Sequence, residues 1–187
     1  MSHIAILATA TTSWPTAAPA VGTAYRVSGD AAPATFSGGL WKSGNLALEA
    51  PIPDGYVPPT PENCIEIKSY PSVRRAEFDS DNLWWPDFMG MGSSRAFKPL
   101  FKHISSRNIP MTSPVEMNYH NLASTVGFLQ SANPSDWTMS FLYKTSTLGP
   151  VGPAENDINV VDTAPVTVIS VALAGGYGLS VVQTGIA

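Results

Sequence analysis

The stretch that decides the fold is Ser93-Ser94-Arg95-Ala96-Phe97-Lys98-Pro99-Leu100-Phe101-Lys102-His103-Ile104, which runs through Ser105-Ser106-Arg107-Asn108 into Ile109-Pro110-Met111-Thr112-Ser113-Pro114-Val115-Glu116-Met117. Ser93 and Ser94 supply a helix N-cap. Ala96, Phe97, Leu100, Phe101 and Ile104 then recur at one helical face, with Arg95, Lys98 and Lys102 outside it. Pro99 interrupts that pattern, so either the first turn is irregular or the helix starts near Lys98. The run 105–108 ends the helix. Val115, Met117 and Tyr119 alternate with polar residues and mark a strand with one buried side.

Further strands flank this helix–strand unit. Ile65 to Tyr70 alternates with period two, and Val73 to Phe78 resumes after Pro71. Thr138 to Lys144 places Met139, Phe141 and Tyr143 on one side, and Pro165 to Leu173 is rich in β-branched residues. The segments near 121–136 and 146–160 hold Gly, Pro, Asn and Asp and read as loops. Gly175 to Gly178 reads as a turn, and Ser180 to Ala187 as the start of a second helix. Between strand and helix, Trp84-Trp85-Pro86-Asp87-Phe88-Met89-Gly90 forms an aromatic loop. The expected class is α+β.

Residues 1–62 have a different texture. Eight of the 17 prolines fall between Pro15 and Pro61, among repeated Ala, Thr, Ser and Gly. Proline fixes φ and removes a backbone donor, which excludes continuous helix or a central strand. Short pieces such as 24–27 and 46–48 could still pair as strands or pack on the domain. Trp14, Phe36, Trp41 and Tyr56 set this arm apart from a disordered linker. The arm is therefore expected to be an ordered strap, held by Trp41 and at least one other aromatic against the domain or a partner.

Composition narrows the function. Hydrophobic residues make up 44% of the chain and charged residues 13%, with a net charge of -4. Ten Lys and Arg with one adjacent pair, Arg74-Arg75, do not make a phosphate-binding surface, so nucleic acid is not expected as a partner. Cys64 is the sole cysteine, which excludes an internal disulfide and a C-x-x-C-H haem attachment. No run approaches the ~18 apolar residues of a membrane span. The chain reads as soluble, in cytoplasm or plastid or held at a membrane assembly through other proteins. No enzyme constellation stands out: phosphate loop, zinc spacing and nucleophile elbow are all lacking.

The junction from Arg95 to Met117 resembles the SOUL haem-binding family, whose mark is a helix F-x-x-L-x-x-Y-I followed by a strand opening M-T-[AS]-P-V. Ile65 to Pro71, Met139 to Tyr143 and Pro165 to Val171 continue the resemblance, which spans 63–187 and is nearest the bacterial and plastid branch. It implies a twisted antiparallel barrel or sheet of two β-α-β-β halves flanked by helix, with 1–62 as an N-terminal extension. The second half is expected to be incomplete, lacking about the last quarter of the family domain. Another chain, the arm or a longer parent sequence could supply it.

The resemblance further implies non-covalent binding of haem or a related tetrapyrrole. His103 is the candidate iron ligand, with Met111 and Met117 as soft alternatives. Trp84, Trp85, Phe88, Phe97 and Phe101 are candidate ring walls, and Arg95, Lys98, Lys102 and Arg107 candidate propionate partners. Each has a plainer role open to it: a capping histidine, a core methionine, a solvated helix face, or aromatic anchors of a protein interface. The histidine proposed as axial ligand in the vertebrate branch precedes the tyrosine of the opening strand, where this chain has Ser69. The alternative function is a degenerate SOUL-like domain acting as a structural or linking subunit, with a protein partner that completes the fold or binds the arm.

Overall fold

A computed structural model describes residues 8–9, 17–44, 46–80, 93–120 and 137–173. In chain order the elements are β1 (Ala8–Thr9), β2 (Thr23–Ser28), β3 (Thr35–Ser37), β4 (Leu40–Ser43), β5 (Leu46–Ala47), β6 (Ile65–Tyr70) and β7 (Arg74–Ser80). There follow α1 (Ser93–Ser106), β8 (Val115–Tyr119), β9 (Trp137–Leu142), β10 (Gly152–Pro153), β11 (Ile158–Asp162) and β12 (Val166–Val171). The strands form three antiparallel sheets, ordered β1-β12-β6-β2, β10-β11-β7-β9-β8 and β3-β4-β5. The class is mixed, antiparallel sheet with one short helix among the described residues. These sheets are open, and the described strands close no barrel.

The main core lies between α1 and one face of the five-stranded sheet. Ala96, Leu100 and Ile104 meet Ala76 and Phe78 of β7 and Met139 and Phe141 of β9, all within 9% of full burial. Pro99 lies inside α1 rather than before it. Proline is tolerated there because the helix is anchored by this packing rather than by its own propensity. The buried stripe is narrower than the apolar pattern suggested: Phe97 is half-buried, Phe101 is 49% exposed, and His103 lies inside at 1%. Asn108, at φ 53°, ends the helix in the left-handed conformation, and the Ile109 amide donates back to the Ile104 carbonyl at 2.9 Å. This is a Schellman-type stop, sealed by the apolar Ile104 and Ile109 side chains.

Two elements depart from expectation. The segment near 146–160 is not all loop, since β11 pairs with β7 and buries Ile158 and Val160. Strand β6 buries both its faces, where alternation predicts exposed Glu66 and Lys68. The reason is the N-terminal arm. Residues 51–61 cross from one sheet to the other, with the Ser113 amide donating to the Pro51 carbonyl (2.8 Å) and the Asp54 amide to the Lys144 carbonyl (2.9 Å). Lys68 Nζ donates to the Pro58 carbonyl at 2.5 Å, and Thr60 and Ser170 hydroxyls lie 2.8 Å apart.

The anchoring aromatic of this strap is Tyr56. Its ring lies 4.5 Å from that of Tyr70, beside buried Val57 and Val168, and its hydroxyl donates to Glu116 of β8. Trp41 serves elsewhere, paired across strands with Phe36 at 5.5 Å in the small β3-β4-β5 sheet. That hairpin turns through Gly38 and Gly39, both at positive φ as a tight two-residue connection requires. The pieces at 24–27 and 46–48 do pair, as β2 and β5.

Candidate functional site

Three groups of polar or aromatic side chains are built on this frame. The first is the outer side of α1. Phe97 and Phe101, one turn apart, stack at 6.0 Å with an interplanar angle of 9°, and Phe97 makes an edge contact with Phe141 at 5.0 Å. One ring is thereby fixed to the core, while its neighbour projects into solvent. Arg95, Lys98 and Lys102 form a stripe to one side of Phe101 and are exposed, and none pairs with a carboxylate among the described residues. Met111 is half-buried against the same core. Trp84, Trp85 and Phe88 lie outside the described residues, as do the turn at 175–178, the expected helix from Ser180 and the second half it would begin.

The second group lies beneath α1. His103 Nε2 is 2.8 Å from the Tyr143 hydroxyl, and Nδ1 is 3.4 Å from Glu155 Oε1, at the limit of hydrogen-bond reach and without a bond of good geometry. Arg107 clasps Glu155 with both terminal nitrogens, at 2.5 Å each. Burial, then the Arg107 charge, holds the imidazole below its ordinary pKa, so it is neutral at pH 7. Burial raises the Tyr143 hydroxyl, and the Arg107 bonds bring Glu155 down to about 2. The set holds carboxylate, imidazole and hydroxyl in a row, yet His103 and Tyr143 are each 1% exposed. The row is a structural tie between the helix and the 145–157 segment.

The third group lines the inner faces of the two larger sheets under the strap. Arg75 bridges Glu77 (2.6 Å) and Glu116 (3.1 Å). Burial, then the Glu116 charge, pushes the Tyr56 hydroxyl far above its ordinary pKa, and Tyr70 is raised in the same way. On the neighbouring strand Glu66 receives Arg26 Nε at 2.9 Å and faces Lys68 Nζ at 3.6 Å. Burial brings the Lys68 ammonium down from 10.5 to about 8 against the pull of Glu66. Ser69, on the opposite side of β6, is buried and bonded to Thr167 at 2.7 Å.

His120, just past β8, is exposed and holds Thr138 Oγ1 at 2.7 Å, which in turn donates to Asp79 at 2.5 Å. Among the described residues no three His, Cys, Asp or Glu side chains gather as metal ligands, and none of the helices is long and apolar enough to cross a membrane. A depression lined by Pro53, Asp54, Ser72, Tyr143 and Lys144 holds about 170 Å³, below the ~300 Å³ at which small-molecule sites begin.

Sequence reasoning therefore assembled the first group, since Phe97, Phe101, Arg95 and Lys102 do share one helix. It missed the second and third. Glu155 lies 48 residues from Arg107, and Arg26 lies 40 from Glu66, distances across which no local pattern carries a signal. The chain matches no protein-family model, and comparison with curated proteins finds no match.

Proposed function

We propose that the chain binds haem or a related tetrapyrrole without a covalent link, as the SOUL resemblance implies. The observation that supports this most is the Phe97–Phe101 stack, its outer ring half exposed beside three cations that pair with no carboxylate among the described residues. A flat apolar ring would lie against Phe101, and its propionates would meet Lys98, Lys102 or Arg95. The residues suit the ring better than the iron. His103 is enclosed with Nε2 engaged by Tyr143, and Ser69 is buried and bonded, so this reading assigns no axial ligand to either. Haem titration of the purified chain should give a saturable Soret change at micromolar haem, weakened severalfold in Phe101→Ala and in the double variant K98A/K102A. Absence of saturation would overturn the reading.

A second reading, a linking module in a larger assembly, is favoured by the exposed apolar side chains Val21, Tyr25, Val27 and Phe36 along the arm. Size-exclusion with light scattering checks it. A mass that stays monomeric at every concentration and no dye binding to apolar surface would count against it.

A further inference from the structure

The outer side of α1 carries a charge pattern unlike the rest of the molecule. The helix has 14 residues and contains no Asp or Glu. Of the ten Lys and Arg in the chain, Arg26, Lys68, Arg74, Arg75 and Arg107 each have a carboxylate oxygen within 3.6 Å. Arg95, Lys98 and Lys102 have none among the described residues, although the chain as a whole is acidic. They follow one another at i, i+3 and i+7, a single stripe of the helix. Phe101, 49% exposed, stands beside that stripe.

We propose that this face seats α1 flat on an anionic lipid surface, with the three cations among the headgroups and the Phe101 ring at the acyl boundary. A negative surface potential attracts an unneutralised basic stripe and turns that side of an acidic molecule toward it. Once in contact, an aromatic ring at headgroup depth adds apolar burial that salt does not screen. An acidic protein is the poorer occupant. A stable protein interface needs on the order of 1,000 Å² around a pocketed anchor, and here the anchor is one ring beside a basic stripe. Headgroups mould to such a surface without a matching pocket. The inference goes beyond the tetrapyrrole reading and does not need it.

Co-sedimentation of the full chain, free of haem, with phosphatidylcholine vesicles tests the idea, with and without about one third phosphatidylglycerol. Pelleting is expected on the anionic vesicles alone, and it should be lost at high salt. K98A/K102A should weaken it by about 10-fold or more. Phe101→Ala should weaken binding yet keep the preference for anionic vesicles. The exposed pair K42A/K144A, on β4 and just after β9, lies off this helix and should leave it unchanged. Equal pelleting on neutral vesicles, no pelleting on either, or an equal loss in K42A/K144A would each overturn the proposal. Capture of an acidic peptide without vesicle binding would overturn it in favour of an acidic protein. Because haem and lipid are presented separately, each reading stands or falls on its own measurement.

Discussion

Lys68 sits in an environment that resists its charge. It is 1% exposed, and its folded pKa is about 8 against an ordinary 10.5. Below pH 8 both folded and unfolded chains hold the proton, and the full cost of burying the ammonium is present. Between about 8 and 10.5 the unfolded chain binds more protons, so this residue's destabilising effect fades as pH rises. At ~1.4 kcal/mol per pKa unit the relief amounts to at most about 3.5 kcal/mol. Tyr56 and Tyr70, whose raised pKa values work in the opposite sense above pH 10, restrict the clean window to roughly 7.5–9.5. Urea midpoints should therefore rise across that window in the native chain and stay flat in Lys68→Met. A second residue-scale test concerns the tie under the helix. Tyr143→Phe leaves His103 Nε2 buried without its partner, an expected loss of about 1–3 kcal/mol. Adding His103→Leu should then cost less than the two single changes summed, as double-mutant thermal melts would read.

At the scale of elements, the helix stop depends on a single backbone conformation. Asn108→Gly should be neutral within ~0.5 kcal/mol, whereas Asn108→Val should lose about 1–2 kcal/mol, because a β-branched residue resists φ 53°. Chemical denaturation of the pair decides it; equal effects of the two would show that the cap is not the cause. Much of this layer was legible in the sequence. The stripe 96–104 and the alternation in β8, β9 and β12 identified those elements, although β9 is buried on both its faces, Thr138 and Ser140 included. Strand β11 also alternates, with Ile158 and Val160 buried, but its neighbours Asn156, Asp157 and Asp162 read as loop chemistry and masked it. The burial of Glu66 and Lys68 was illegible for a different reason. Charged residues on an alternating strand signal solvent, and only the long-range approach of Pro58 and Arg26 satisfies them inside. The candidate site divides the same way: Phe97, Phe101, Arg95 and Lys102 are neighbours in helical periodicity, whereas Tyr143, Glu155 and His103 meet only through tertiary packing.

On the scale of the whole molecule, the strap joins the two larger sheets. Tyr56 touches Tyr70 of one sheet and Glu116 of the other, so Tyr56→Ala removes ring packing and a bridging bond together. A loss of about 2–4 kcal/mol is expected, with protease cutting in 51–61 appearing long before global unfolding. Slow cutting of that segment in the variant would sink the view that Tyr56 pins it. The same interleaving has a consequence for the birth of the protein. In the four-stranded sheet, β12 and β6 are central, and the early strands β1 and β2 lie on the two outer edges. Ala8 faces Ile169, and Tyr25 faces Ile67. At about 5–20 residues per second on the ribosome, Ala8 waits roughly 8–30 s before its neighbour has even been translated. The apolar Tyr25 and Val27 emerge well before the strand that receives them. Non-local pairing of this kind is slow to form, and the nascent chain must keep β1 and β2 from straying until β12 and β6 have been made.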